Sequence, residues 1–367
     1  LTAGLRILMP TIYFPPRVGG IESHVYYLAR ELVRRGNGVH VVTTLTESGS
    51  PREEVMDGIE VTRMPSFGKH FIGWSLSSVI SSPMVVHLAG RCDIIHCHTF
   101  ASALGGDLAS MIRGRPLVIT VHSSHFLRLA GNAVMRPVMR QLLKRAGALL
   151  STSREIDAVV RGMLPGSFTM PVVNGIDTEA FRPVLPCLDR AGDEFVIVCP
   201  RRLVHKNGVE FLIRALPAVR ENLRVKVYLA GQGPLMGKLE SLAAELGVRE
   251  LVVFMGSVEN AKMPNVYSSA DLVVIPSLIE ATSIAALEAM SCERVVAASR
   301  VGGLPEIIDR DVGVLFEPGS PEAVSEAILR SATEVDRQSM GREARRRVVE
   351  NWSIRAMAGV HMDVYRK

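Results

Sequence analysis

Cysteine is scarce in this 367-residue chain, and the five present (Cys92, Cys97, Cys187, Cys199 and Cys292) include no Cys-x-x-Cys pair. An odd, scattered set excludes a disulfide framework and a zinc ribbon, so reduced thiols and a cytoplasmic location are expected. The opening stretch "LTAGLRILMP" has no charged leader followed by an apolar run and a cleavage site, so no signal peptide is expected. Long hydrophobic runs are missing as well. The nearest approach, "FIGWSLSSVISSPMVVHLAG" at residues 71–90, holds five serines, Pro83 and His87, and is too polar to cross a bilayer. There is no short-period repeat and no low-complexity segment. The first strand candidate is followed by Gly19-Gly20 without the Gly-x-Gly-x-x-Gly spacing of a dinucleotide site, which disfavours a dehydrogenase.

What is present is ordinary for a globular protein of two domains: 47% hydrophobic residues, 22% charged, and a length beyond one ordinary core. Short apolar runs alternate with helical patterns, which predicts βα units and parallel sheets. The first series of strands falls at 5–9, 38–44, 93–98, 117–122 and 148–153. Between the first two, Val25, Leu28, Ala29, Leu32 and Val33 share a helix face, and Gly36 follows as a stop. The stretch 179–194, with prolines, a glycine and acids but no periodicity, reads as a linker. A second series follows at 194–200, 224–231, 250–257, 271–277, 294–299 and 312–316. Two doubly wound α/β domains result, 1–184 and 185–367, with ligand expected at the carboxyl ends of the strands.

Three stretches at those strand ends carry chemistry. Gly19 and Gly20 stand between a strand and a helix, where backbone amides and the helix dipole favour an anion. A plain tight turn is the bland reading. "PRRLVHKNG" (200–208) places Arg201, Arg202 and Lys206 where a diphosphate would sit, or else forms a solvated basic loop. Gly231 and Gly233 in "AGQGP" allow a nucleotide close to the backbone, or simply make a loop. "PSLIEATSIAALEAM" (276–290) is the most informative. Glu280 lies in a loop, Thr282 or Ser283 caps a helix, and Glu288 stands in its second turn. The free amides of Thr282, Ser283 and Ile284 suit a phosphate, and the two carboxylates suit sugar and ribose hydroxyls. The alternative is a buried helix whose acids form a solvated edge and a capping charge. Among the histidines, His96 and His98 share a strand face and read as structural. His24 reads as surface, and His205 as a neighbour of the cationic loop.

The 276–290 stretch resembles the Glu-x7-Glu motif of retaining family-4 glycosyltransferases of the GT-B fold. "GGIESHVYYLARELVRRGNGVHVVT", "DIIHCHT", "LVITVHSS", "VVNGIDTEAFRP", "RRLVHKNG", "LAGQGP", "FMGSV", "YSSADLVVIPS" and "VGGLPEII" follow that family's order along nearly the whole chain. The resemblance implies two Rossmann-like domains with a cleft between them. The first, 1–184, would bind acceptor, and the second, 185–367, would bind donor. A last helix near 353–367 would pack back on the first domain. Glu288 would hold the ribose and Glu280 the donor sugar. Arg201 or Arg202 with Lys206 would neutralise the departing diphosphate. Gly19 and Gly20 would lie against it, His122 beside the sugar, and Ser257 and Val258 near the base. A UDP-, GDP- or ADP-sugar would be the donor, with no cofactor, no metal ion and no nucleic-acid partner. Departures from the pattern are Ala281 and Glu293, where glycines are common. A sugar-nucleotide epimerase or a non-catalytic nucleotide-sugar sensor are the rival readings.

Charge adds an expectation about the acceptor. Residues 1–183 hold 19 Lys+Arg against 13 Asp+Glu, while the remainder holds 23 against 24. Arg136, Arg140 and Lys144 recur on one helix face, near Arg128 and Arg145, with Met139, Leu142 and Leu143 opposite. Phe71, Ile72 and Trp74 offer an apolar wedge. A lipid-linked glycan acceptor and a peripheral station on an anionic membrane are therefore expected, against the plainer reading of a solvated helix face and a soluble acceptor.

Overall fold

Strands that are apolar at every position need helices on both faces, and the chain builds its sheets that way. The computed structural model describes residues 4–17, 19–45, 49–68, 71–122, 124–172, 174–280 and 283–367. It divides into two units, residues up to Gly175 with Ile354–Lys367, and Ile176–Ser353. The division lies nine residues before the expected 184/185 boundary.

The first unit contains β1 (Arg6–Pro10), β2 (Gly38–Thr44), β3 (Glu53–Met56), β4 (Ile59–Met64), β5 (Ile94–His98), β6 (Leu117–Val121), β7 (Ala148–Ser151) and β8 (Thr169–Pro171). Their order is β3-β4-β2-β1-β5-β6-β7-β8, parallel except for the β3–β4 hairpin. The sequence reading missed β3, β4 and β8. The hairpin's signal was Asp57-Gly58, both at positive φ (51° and 79°), the two-residue turn that joins antiparallel strands. Its helices are α1 (Gly20–Arg34), α2 (Phe71–Ala89), α3 (Ala103–Arg113), α4 (Ser124–Ala130), α5 (Met135–Leu143) and α6 (Arg154–Met163). Val25, Leu28, Ala29 and Leu32 of α1 are fully buried, and Gly36 ends the helix region at φ 83°. The C-terminal helix Ile354–Tyr365 belongs to this unit. Its Met357, Ala358, Met362 and Tyr365 enter the same core cluster as α1, on one side of the sheet. Residues of α2, α3, α5 and α6 form the core on the other side.

The second unit has β9 (Phe195–Cys199), β10 (Val225–Ala230), β11 (Val252–Gly256), β12 (Leu272–Ile275), β13 (Val296–Ser299) and β14 (Gly313–Phe316), all parallel, in the order β11-β10-β9-β12-β13-β14. Strand order therefore reverses between β9 and β12, where loops diverge and leave a crevice for ligand. Its helices include α7 (Val209–Arg220), α8 (Met236–Glu245), α9 (Met263–Ser268) and α10 (Ile284–Ser291). The expected linker is not a loose tether. The Ser268 hydroxyl accepts from the Val184 amide at 3.1 Å, and Ser269 Oγ accepts from Cys187 N at 2.8 Å, which strap the stretch onto α9. Arg345 donates to the carbonyls of Phe181 (3.1 Å) and Ser291. Among the described residues no helix is long and apolar enough to cross a membrane.

Candidate functional site

In the second unit the two loops flanking the switch point are laced together. The loop after β9 holds Arg201 to Gly208, and the loop after β12 holds Pro276 to Glu280. Leu278 N and Ile279 N both donate to the Lys206 carbonyl, at 2.8 and 3.2 Å. Gly208 sits at φ 62°, and a Cβ there would stand 2.0 Å from the Pro276 carbonyl oxygen, so only glycine allows this approach. Across this contact Arg201 forms an ion pair with Glu280 and donates from Nε to Ser277 Oγ at 3.1 Å. The side chains are 11% and 16% exposed, so the pair is largely withdrawn from water. Arg202, the next residue, is exposed. Of the two arginines, Arg201 is the one built into the loop junction. Lys206 is exposed, and His205 stands 3.4 Å from Glu210.

Gly231 and Gly233 have a packing reason for being glycine. A Cβ at either would lie 2.1 Å from the Arg201 carbonyl or 2.2 Å from that of Leu203. They let the loop after β10 rest on the Arg201–Leu203 backbone, where Leu203 N donates to Gln232 O at 3.0 Å. Ser257 and Val258 follow β11 at the same carboxyl edge, exposed and half-buried.

Helix α10 starts at the switch point. Ser283 is its N-cap, with Oγ accepting from Ala286 N at 3.3 Å, and Ile284 is its first residue. Thr282 and Ala281 lie outside the described residues. Glu288 sits half-buried in the second turn and accepts from the Tyr267 hydroxyl at 2.9 Å. Burial pushes the Glu288 carboxyl up to about 7, against the opposing effect of that hydrogen bond. Tyr267 is fully buried. Nothing in the sequence marks Tyr267 as a partner of Glu288, since no spacing ties a residue on α9 to one on α10.

At the first unit's strand ends the chemistry is different. Gly19, extended at φ 178°, caps α1, and Gly20 is its first residue. The Glu22 carboxylate folds back over this turn, 2.4 Å from where a Gly19 Cβ would be, and Arg17 Nε pairs with it at 3.0 Å. An acid and a base of the chain itself thus stand beside the start of α1. His122 follows β6 and is buried. Its Nε2 lies 3.3 Å from Nδ1 of His98, one nitrogen donating to the other.

His24 corrects an expectation. It is buried, 2% exposed, with its ring 4.7 Å from that of His122. The helix pattern concealed this, because a polar residue at position 24 faces a polar cluster rather than solvent. Among the described residues His98 Nε2 has no hydrogen-bond partner, while the Asn174 side chain stands against the His24 ring. His96 is structural as expected: Nδ1 meets the Tyr365 hydroxyl at 2.6 Å and Nε2 meets Thr120 Oγ1 at 2.7 Å. Burial lowers the pKa of these imidazoles and of His361 on the C-terminal helix, reinforced at His24, His96, His98 and His122 by repulsion from neighbouring rings. His122 is brought to about 3 and His361 to about 4, so they are neutral near pH 7. Ligand atoms of His24, His98 and His122 lie within 4.8 Å of one another, the one set among the described residues with the geometry to hold a metal ion. An Asp-x-Asp triplet, Asp309-Arg310-Asp311, escaped the sequence reading. Both of its carboxylates face Arg347, at 2.7 and 2.9 Å.

Comparison with known proteins decides the family. The description "Glycosyltransferase Family 4" matches residues 18–180, and "Glycosyl transferases group 1" matches residues 194–334. An uncharacterised glycosyltransferase of Methanocaldococcus jannaschii is 30% identical over 99% of this chain and 98% of its own length. The chain belongs to glycosyltransferase family 4. A GDP-mannose-dependent alpha-(1-6)-phosphatidylinositol monomannoside mannosyltransferase of Mycolicibacterium smegmatis is 29% identical over 95% of each chain. Among solved structures, sucrose-phosphate synthase of Thermosynechococcus elongatus superposes with a TM-score of 0.84 at 22% identity, covering 99% of this chain and 98% of that one. An Anabaena protein in complex with UDP-glucose gives 0.76 at 20% identity, covering 99% of each. The two Rossmann-like halves of this glycosyltransferase are thus those of the GT-B fold.

Proposed function

We propose that this glycosyltransferase moves a hexosyl group from a nucleoside-diphosphate sugar to an acceptor hydroxyl with retention of anomeric configuration, without a metal ion. The observation that carries the reading is the Arg201–Glu280–Ser277 junction beside capped helix α10, with Glu288 one turn further in. Arg201 and Lys206 stabilise the leaving diphosphate, helped by the amides at the start of α10. Glu280 accepts hydrogen bonds from the donor sugar, and Glu288 from the ribose diol. The bond from the anomeric carbon to the diphosphate oxygen breaks while the acceptor oxygen bonds to the same face. The acceptor proton passes to the departing diphosphate oxygen, so no protein nucleophile is needed.

The structural neighbour solved with UDP-glucose supports a nucleotide-sugar donor. The relative named for a phosphatidylinositol mannoside supports a membrane-borne acceptor, handled by the first unit at the cytoplasmic face. A thermal-shift screen against UDP-, GDP- and ADP-sugars, followed by NMR of the product anomer, tests the proposal. A nucleoside diphosphate released together with a retained glycoside is the expected outcome. An epimerised sugar nucleotide, an inverted product or donor binding without turnover would overturn it.

A further inference from the structure

The outer faces of three neighbouring helices in the first unit gather apolar side chains that packing leaves uncovered. On α2, Leu76, Val79 and Ile80 recur at helical spacing and stand exposed. On α3, Leu108, Met111 and Ile112 do the same, and α5 adds Val138, preceded by Val134 at 76% exposure. The inner faces of these helices enter one core cluster, through Val85, Ala109 and Met139 among others. The exposed residues therefore all point away from the same side of the sheet. Arg113 Nε donates to the Val86 carbonyl at 3.0 Å, joining α3 to α2, and Arg145 pairs with Asp107 at 3.5 Å, joining α5 to α3. The surface is continuous across the three helices. In the second unit the exposed large apolar residues, such as Leu185, Ile279 and Val349, stand singly.

Charge on this layer has one dominant sign. Residues 71–145 contain eight Arg+Lys and two acids, Asp93 and Asp107. Arg136, Arg140 and Lys144 are exposed on the α5 face while Met139 and Leu143 are buried beneath them. Trp74 belongs elsewhere: its indole donates to the Tyr13 hydroxyl at 2.7 Å, and the side chains of Phe71 and Ile72 lie outside the described residues.

We infer that the α2–α3–α5 face docks on an anionic lipid bilayer. Contiguous exposed apolar surface on a soluble protein marks an interaction site. Here its aliphatic make-up suits acyl chains, and the cations around it suit anionic headgroups. Insertion and electrostatic attraction each contribute, and neither alone gives stable binding. The inference deepens the reading of a membrane-borne acceptor given above, and it places that acceptor's membrane against a named face.

The full chain is tested by co-sedimentation with vesicles of phosphatidylglycerol and phosphatidylcholine against vesicles of phosphatidylcholine alone. Binding is expected only to the anionic vesicles and weakens with salt. The combined change Arg136→Gln, Arg140→Gln and Lys144→Gln lowers partitioning on the order of tenfold to a hundredfold. Leu108→Gln with Ile112→Gln lowers it at high salt, where attraction is screened. All five positions are exposed, so thermal melting of the variants stays unchanged. Donor hydrolysis in the same preparations separates this inference from the transferase reading, because the variants keep it. Equal sedimentation with both vesicles, or with neither, overturns the inference. A wild-type dimer that these variants dissolve also overturns it, by showing that a second copy covers the face.

Discussion

Both units are open, largely parallel sheets that put polar chemistry at the carboxyl ends of their strands, yet they fill that place with opposite materials. The second unit has an ion pair, Arg201 against Glu280, with Glu288, raised to about 7 and held by Tyr267, beside it. The first has neutral imidazoles, His24, His98 and His122, and a helix start beside which Glu22 pairs with Arg17. A fixed charge stabilises a leaving group, whereas a buried neutral ring offers hydrogen bonds and shape. The fold supplies the location, and residue chemistry assigns the task.

The largest effect that would sharpen this contrast is Arg201→Ala. Loss of a charge aimed at the departing diphosphate is expected to cut kcat about 10²- to 10³-fold. Steady-state turnover with the best donor measures it, and a loss below tenfold would move the leaving-group site elsewhere. Acid should next separate the units. The imidazoles of the first unit have folded pKa values below the unfolded 6.5, so the folded state takes up fewer protons, and stability is lost as pH falls below 6.5. For His122, at about 3, this is about 2 kcal/mol at pH 5. Glu288 has the opposite sign: its folded pKa is raised from 4.5 to about 7, so its contribution is favourable at low pH and is lost as pH rises through that window. Hydrogen exchange resolved by unit between pH 7 and 5 should show the first unit opening first.

A smaller change is expected from Tyr267→Phe. Its hydroxyl lowers the Glu288 pKa, so removing it moves the pH dependence of nucleotide binding to higher pH and weakens affinity several-fold at pH 7. An unshifted profile would make Tyr267 a packing residue only. The smallest is Arg202→Ala, an exposed neighbour whose loss should leave kcat/KM within about twofold, against the large cost at Arg201.

The sheets were legible because strands buried on both faces read as continuous apolar runs, as in "FVIVC" and "LVVI". The β3–β4 hairpin was missed because its burial alternates weakly and Val55 is exposed. The Glu280–Glu288 spacing was visible within one stretch. The partners that position those acids, Ser277 and Tyr267, were not, because hydrogen bonds across a loop or between helices leave no period in the sequence. His24 failed for a related reason: amphipathic patterning separates apolar from polar, and it has no term for a polar residue buried among other polar residues. The choice between Arg201 and Arg202 likewise required the loop's actual geometry.

Whether the two glutamates divide the donor between nucleoside and sugar is decided by calorimetric affinity for the nucleoside diphosphate in Glu288→Ala and Glu280→Ala. Glu288→Ala is expected to weaken nucleoside diphosphate and intact donor alike, on the order of tenfold, because the ribose is common to both. Glu280→Ala should keep the nucleoside diphosphate affinity and lose turnover. An equal loss of nucleoside diphosphate affinity in both variants would contradict the account.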